Sequence, residues 1–177
     1  AEDKPADAPQ QQGAEALQKA FEQYAKPGPQ HEELKALVGT WDTEMTLFTP
    51  GEPQTSKGTA EFKFLLGGRY LEQTFRGKVA GEDFEGRGWT GYDNAKKKYV
   101  SVWIDSMGTG ISQSEGQYDN ESGQFVEIGE TTSSMGTMKI KSVTKPMGDD
   151  KLLLTMYWVQ DGGKEQKMME VTYTRKK

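Results

Sequence analysis

The sequence GTWDTEMTLF at positions 39–48 indicates the fold class, because its apolar and polar side chains alternate with a period of two. Trp41, Met45 and Leu47 fall on one side of the chain, and the acidic residues fall on the other. Such alternation is typical of a β-strand with one buried face. The same period continues to the C-terminus, so residues 39–177 are predicted to form one all-β domain.

Further segments show the same alternation, and short turn sequences such as Gly67-Gly68 separate them. The predicted strands cover residues 40–48, 60–66, 70–78, 83–92, 98–105, 111–118, 124–132, 137–145, 152–160 and 165–175. A meander of about ten strands leaves two long edges, and closure into a barrel removes both of them. We therefore predict a single antiparallel up-and-down β-barrel of about ten strands.

The N-terminal region differs from the rest of the chain. Residues 1–13 are rich in Ala, Pro, Gln and Asp and contain no large apolar residue, which predicts a disordered linker. Residues 14–38 hold two amphipathic helical patterns, and the first places Leu17, Phe21 and Tyr24 on one face. We therefore predict a short helical lead before the barrel.

The composition excludes several function classes. The 177 residues carry a formal charge of −5 with a pI near 5.1, whereas a nucleic-acid partner would need a basic face. No apolar run approaches the roughly 18 residues of a membrane-spanning helix, so no membrane insertion is expected. With no cysteine and one histidine, His31, the chain is predicted to hold neither metal nor cofactor. Haem ligation by His31 is the less favoured alternative to a packing or capping role.

The N-terminal sequence also carries an expectation about location. The chain starts at Ala1 with a polar tail rich in alanine and proline. Mature exported proteins start in this way once a signal peptide has been cut after a small residue. We therefore expect a periplasmic or secreted protein.

Features at both ends of the barrel sequence resemble the calycin, or lipocalin-like, superfamily. Gly39-Thr40-Trp41 follows a short helix and matches the Gly-x-Trp signature of the first calycin strand. In that superfamily an arginine of the last strand lies across the tryptophan, and Arg175 is the candidate here. A guanidinium over an indole makes a favourable cation–π contact. The resemblance implies that Gly39, Trp41 and Arg175 close one end of the barrel.

A longer set of strings resembles the bacterial family catalogued as domain of unknown function 1579. These strings are PQHEEL at 29–34, LVGTW at 37–41, LGGRYL at 66–71, GYDN at 91–94, WIDSM at 103–107 and MEVTY at 169–173. The resemblance covers nearly the whole chain after residue 25. It implies a lipocalin-like barrel and no agreed activity.

The strand predicted at 98–105 carries the most suggestive side chains. Trp103 and Asp105 share a face with Tyr99 and Ser101, and an aliphatic set takes the other face. We favour the orientation in which the face with Trp103 and Asp105 points inwards and lines a pocket, because Asp105 then begins a turn near the rim of the barrel. The aliphatic face would lie outside, covered by the N-terminal amphipathic helix. In the alternative, the aliphatic face is core, and Trp103 and Asp105 lie on the surface.

These features predict a small apolar or amphipathic ligand inside the barrel. The predicted walls are Tyr92, Trp103, Met107 and Trp158, and the predicted polar anchors are Glu72, Arg76 and Asp105. For Glu72 and Arg76 the alternative is a solvated outer strand face.

Two other functions stay open. One is an enzyme, a hydrolase or isomerase, that uses Asp105 or Glu115 as general base. The other is a structural or interaction protein with a filled barrel, whose N-terminal region carries the partner contact.

Overall fold

The computed structural model describes residues 8–133 and 136–177. Its helices are α1 (Ala8–Ala25), α2 (Pro29–Glu33), a 3₁₀ turn at Leu34–Leu37 and a second 3₁₀ turn at Asp161–Gly163. Its strands are β1 (Gly39–Leu47), β2 (Gln54–Leu65), β3 (Tyr70–Val79), β4 (Glu82–Asp93), β5 (Lys98–Asp105), β6 (Ser112–Asp119), β7 (Gln124–Ser133), β8 (Gly136–Pro146), β9 (Lys151–Val159) and β10 (Glu165–Arg175).

The strands form one closed antiparallel barrel. Each strand pairs with its neighbours in the chain, and β1 also pairs with β10, which closes the sheet. The predicted up-and-down β-barrel is therefore confirmed. The largest difference in bounds is at β2, which begins at Gln54 rather than at residue 60.

The register of the strand pairs shows which residues face the interior, because paired residues of antiparallel strands share a face. Trp41 is 1% exposed and pairs with Ala60. Ala60 pairs with Phe75, Phe75 pairs with Gly86, and Gly86 pairs with Asp105. Asp105 therefore faces the interior together with the other odd-numbered residues of β5, which is the first of the two orientations considered above.

One end of the barrel is closed by α2 and the first 3₁₀ turn. The Trp41 indole N–H donates to the Leu37 carbonyl at 2.9 Å. The Arg175 guanidinium lies 4.1 Å from the centre of the Trp41 ring and donates to the carbonyls of Ala36 and Val38 at 2.6 and 2.7 Å. These contacts tie the helical segment to the first and last strands.

Aromatic side chains fill the barrel just above this closure. Tyr99 packs edge-on against Tyr92 and Phe125, with ring centres 5.1 and 4.9 Å away. Its hydroxyl donates to the Glu33 carboxylate at 2.6 Å, and burial raises the pKa of Tyr99. We call this end the floor: α2, the first 3₁₀ turn, and the side chains of Trp41, Tyr92, Tyr99, Phe125 and Arg175.

The opposite end of the barrel we call the open end. It carries the connections at residues 48–53, 80–81, 106–111 and 160–164, whose side chains are mostly exposed. In the described part of the chain, no α-helix lies across it.

Helix α1 differs from the prediction in length and in packing. It begins at Ala8, so residues 8–13 of the predicted linker are helical, and residues 1–7 lie outside the described residues. Its apolar side chains, Leu17, Phe21 and Tyr24, are 67%, 70% and 55% exposed, so the predicted cover of the β5 outer face is wrong.

The outer face of β5 does not depend on α1 for burial. Val100 and Val102 are half-buried without the helix. The side-chain amide of Asn94 ties α1 to the barrel by donating to the carbonyls of Tyr24 and Lys26. Among the described helices, none combines the length and the hydropathy that crossing a membrane requires.

Candidate functional site

The barrel interior changes character above the floor. On β1, β3 and β10 the inward-facing side chains are buried well above the floor, as Met45, Phe75 and Val171 show. On β5–β9 the inward-facing side chains above the floor, apart from Ile140, are half-buried or exposed. We call the part of the interior bordered by the half-buried residues of these strands the hollow, and we define it by Ser101, Trp103, Ser114, Glu127, Ser142 and Met156.

Glu127 of β7 is the carboxyl group in the hollow. Tyr99 pairs with Gly116 and Gly116 pairs with Glu127, so the carboxyl side chain points inwards, two residues above Phe125 of the floor. Ser101 and Ser114 donate to the same carboxyl oxygen, Oε1, at 2.5 and 3.2 Å. The other oxygen, Oε2, accepts no hydrogen bond from the described residues.

Glycines in the sequence make room for this carboxyl group. A Cβ on Gly116 would lie 2.6 Å from Glu127 Cγ and 2.4 Å from the Val126 carbonyl oxygen. A Cβ on Gly129 would lie 2.6 Å from Ser114 Cβ. Real Cβ atoms do not approach so closely, so the two glycines allow Glu127 and Ser114 to lie across the neighbouring strands.

The surroundings of Glu127 disfavour its charged form. Burial raises the pKa of Glu127, and the hydrogen bonds from Ser101 and Ser114 lower it by less. In the described strands, Arg175 is the one Lys or Arg on the inner face, and it is held in the floor. An interior carboxyl without a cationic partner costs stability, and functional sites are where such groups concentrate.

Trp103 and Asp105 form a second polar contact, closer to the open end. The Trp103 indole N–H donates to Asp105 Oδ2 at 3.0 Å, and Oδ1 accepts the Met107 backbone N–H at 2.9 Å. The indole lies over glycines of β4: a Cβ on Gly86 would be 2.2 Å from the ring, and one on Gly88 would be 2.9 Å away. Because these two β4 residues have no side chain, the indole can pack directly against the β4 backbone.

A family model described as "Protein of unknown function (DUF1579)" matches residues 26–175. The chain belongs to this family. The match begins at Lys26, the first residue of the α1–α2 connection, and includes the floor and the whole barrel, whereas α1 lies outside it. No curated protein matches the chain.

Solved structures share the fold of this DUF1579 protein at low sequence identity. Rv2717c from M. tuberculosis has a TM-score of 0.61 at 14% identity, covering 86% of this chain and 100% of that one. The S-type phycobiliprotein lyase CPES from Guillardia theta has a TM-score of 0.57 at 12% identity, covering 82% and 92%. At such identities the likeness shows the barrel fold alone.

The predicted wall residues divide between the two ends of the DUF1579 barrel. Trp103 borders the hollow, and Trp158 faces inwards near the open end, where it is 36% exposed. Met107 lies on the open-end connection after β5. Tyr92 is part of the floor, between Tyr99 and His31, so it does not line the hollow.

Glu72 and Arg76 lie on the outer face, which corrects their prediction as interior anchors. Glu72 pairs with Trp89, whose indole N–H donates to the Glu72 carboxylate at 3.2 Å, and Lys63 lies 3.1 Å from its other oxygen. Arg76 makes an outer ion pair with Glu85 at 3.4 Å. The inner face of β3 belongs to the alternating residues, so neither side chain reaches the interior.

Glu115 also lies on the outer face, so it cannot serve as an interior base. Its two carboxylate oxygens bind Lys96 and Lys98 at 2.5 and 3.3 Å. These contacts lower the pKa of Glu115, first through the Lys96 hydrogen bond. Of the two carboxylates that the enzymatic alternative proposed, Asp105 is the one that faces inwards.

His31 belongs to the floor rather than to the hollow. Its Nδ1 accepts the Gly28 backbone N–H at 3.0 Å, and its ring meets Tyr92 edge-on, 6.1 Å between centres. Burial lowers the pKa of His31, and the nearby Arg69 charge lowers it further. The imidazole therefore caps α2 and is not presented to the interior. No group of three or more potential metal ligands occurs within residues 8–133 and 136–177.

Proposed function

We propose that this DUF1579 protein binds a small apolar or amphipathic molecule in the hollow, entering through the open end. One observation supports the proposal: above the floor, the inward-facing side chains of β5–β9, apart from Ile140, are half-buried or exposed, as the lining of a ligand site would be. A barrel built only for stability would pack these side chains at the density of a protein core.

The lining of the hollow combines apolar and polar groups in the manner of small-molecule sites. Trp103, Met156 and Trp158 provide apolar surface, whereas Asp105 and Glu127 provide inward-facing polar atoms. Binding pockets are usually apolar with a few placed polar groups that orient the ligand. The set therefore favours an amphipathic ligand with its polar part deep in the barrel.

Apolar side chains also extend to the entrance. Met107 and Ile111 lie on the connection between β5 and β6 at the open end and are 59% and 64% exposed. Exposed apolar residues beside a concave site are typical of surfaces that meet a ligand. They give an apolar molecule a first contact on its way to the hollow.

A neutral solvatochromic dye tests the proposal. Nile red should bind the wild-type protein at one site per chain and shift its emission to the blue. Ser142→Trp should abolish this binding, because Ser142 faces the hollow and pairs with both Glu127 and Met156. The matched control is Gln113→Trp, since Gln113 is an exposed outer-face residue of β6.

Two results would contradict the proposal. Equal dye binding by both tryptophan variants would place the dye on an outer surface such as the apolar face of α1. Absence of binding by the wild-type protein would leave the hollow without a ligand and would favour the structural alternative.

Catalysis is a second candidate function, and the raised pKa of Glu127 favours it. A carboxyl group whose pKa is raised by burial inside a barrel is a candidate general acid or base. If the ligand is turned over, Glu127→Gln should abolish turnover even at ligand concentrations that saturate the variant. A variant with full turnover would exclude this role.

The exported location stays a prediction. Fractionation of the source cells tests it: recovery from the periplasm or the medium would support it, and recovery from the cytoplasm would contradict it.

A further inference from the structure

The two carboxyl oxygens of Glu127 differ in their hydrogen bonds. Oε1 is held by Ser101 and Ser114, and the Ser101 hydroxyl is in turn 2.9 Å from that of Thr90. Oε2 accepts no hydrogen bond from the described residues. The serines therefore fix the orientation of the carboxyl group, and its second oxygen is left for a donor that the described chain does not supply.

The charges around the hollow have one sign. Glu127 and Asp105 face inwards from β7 and β5. In the described strands the one inward cation, Arg175, is stacked on Trp41 and donates to two floor carbonyls. A ligand anion would meet like charges with no cation to offset them, whereas a ligand cation would meet opposite charges.

An indole lies on β5 between the open end and the serine that holds this carboxyl group. Ser101 and Trp103 are two residues apart on β5, a rise of about 7 Å, and both face inwards. The Trp103 ring rests on Gly86 and Gly88 with its N–H bound to Asp105. An indole face beside carboxylates is the combination that recognises organic cations.

We propose that the ligand of the hollow is an amphipathic amine, whose protonated nitrogen donates to Oε2 of Glu127 beside the Trp103 ring. Its apolar part extends towards the open end, past Trp158 and Met107. This inference rests on the proposed function, because it requires a ligand in the hollow. It adds the chemical class of that ligand and assigns Glu127 as the residue that determines specificity.

The cost of burying the carboxyl group agrees with this assignment. Burial raises the pKa of Glu127, so without a partner its ionised form is disfavoured. A bound cation supplies the missing opposite charge and a hydrogen bond to the ionised form. A bound amine thus offsets the free-energy cost of ionising the buried Glu127 carboxyl group, which no described side chain offsets.

Three probes with the same chain length and different head groups test the inference. Dodecylamine, 1-dodecanol and dodecanoic acid are titrated calorimetrically into the full chain at pH 7, below their micelle concentrations. We expect the amine to bind at least tenfold more tightly than the alcohol, and the acid to bind most weakly. The matching chains separate head-group recognition from simple burial of apolar surface.

Paired variants locate the recognition. Glu127→Gln keeps the shape of the side chain and should reduce the preference for the amine over the alcohol to about threefold or less. Glu115→Gln makes the same change in charge on the outer face and should leave the preference intact. Glu127→Asp, which withdraws the carboxyl group by one methylene, should weaken the preference without removing it, and it replaces the Gln variant if that one fails to fold.

Each contrary result overturns a different part of the account. If the three probes bind with similar Kd values, or the acid binds best, the inference is wrong and the proposed function stands. If the amine is preferred equally by the Gln variant at position 127, an outer acidic surface binds it and the inference is again wrong. If none of the probes binds, the proposed function fails and the inference fails with it.

Discussion

The floor and the hollow belong to the same barrel but differ in how completely their side chains are buried and hydrogen-bonded. In the floor, Trp41 is 1% exposed and its N–H, like the Arg175 guanidinium, is hydrogen-bonded to the chain. In the hollow, the side chains are half-buried and Glu127 keeps an open carboxyl oxygen. The difference indicates that the floor stabilises the fold, and under the proposed function the hollow gives up part of that stability for a binding site.

The floor and the hollow also differ in the glycines on the inner face of the barrel. Gly86, Gly88, Gly116 and Gly129 all lie on the inner face where a Cβ would collide with a neighbour. Three of the clashes involve Trp103 or Glu127, the two side chains that carry the proposed recognition. In the floor, aromatic rings occupy the corresponding space.

The largest effect is expected from truncating a floor residue. Trp41→Ala should lower the free energy of unfolding by about 3–5 kcal/mol, because it removes a fully buried indole and leaves the Arg175 guanidinium without its stacking partner. Trp158→Ala near the open end should cost roughly 1 kcal/mol or less, since Trp158 is 36% exposed. Urea unfolding of both variants measures the difference, and equal losses would mean that the two ends are packed alike.

A smaller loss of stability is expected from adding a methyl group beneath the Trp103 ring. Gly86→Ala should destabilise the protein by about 1–3 kcal/mol and weaken Nile red binding, because the added methyl would displace the indole. Gly108→Ala is the control at the same end, where the nearest atom to a new Cβ is 3.9 Å away. Urea unfolding and dye titration of both variants measure these effects. Unchanged dye affinity in the Gly86 variant would remove Trp103 from the binding site.

The pH dependence of stability should differ in sign between Glu127 and Glu115. Because the pKa of Glu127 is raised on folding, protonated Glu127 contributes stability below the unfolded pKa, and this contribution is lost as pH rises through the folded pKa. Relative to wild type, Glu127→Gln should therefore gain stability as pH increases.

The outer-face variant provides the opposite trend. The pKa of Glu115 is lowered, so its ion pairs contribute stability above the unfolded pKa and lose it as pH falls. Glu115→Gln should therefore be less stable than wild type near neutral pH and equal to it in acid. Urea unfolding from pH 4 to 8 measures both trends, and parallel curves for the two variants would show that Glu127 is not in a desolvated interior.

The smallest effect is expected from removing α1. Deletion of residues 1–25 should change the free energy of unfolding by no more than about 0.5 kcal/mol, because the apolar side chains of α1 are exposed. The deletion also keeps the whole floor. Thermal unfolding checks this, and a large fall in Tm would show that α1 packs against the barrel or against a second copy in solution.

The architecture could be predicted from the sequence because its signal is local. The period of two fixes which residues of a strand share a face, and the turn sequences fix where strands end. Where the local signal is weak, the prediction misses: residues 54–59 read QTSKGT, without an apolar alternation, yet they form the first half of β2.

The site is harder to predict, because strand pairing around the whole barrel determines which face of each strand points inwards. The sequence of a single strand does not contain that information. Glu72 and Arg76 share a face as predicted, but closure of the sheet turns that face outwards. Glu127 is absent from the predicted site residues although it shares its face with Phe125 and Gly129, an apolar and a small residue that favour the interior. A carboxylate between two such residues was the available signal.

The most direct test of the account is a crystal structure of the protein with dodecylamine bound. The nitrogen should lie within hydrogen-bonding distance of Oε2 of Glu127, with the first methylenes beside the Trp103 ring and the rest of the alkyl chain directed to the open end. A chain bound along the apolar face of α1, or a hollow filled by rearranged side chains with no amine inside, would contradict it.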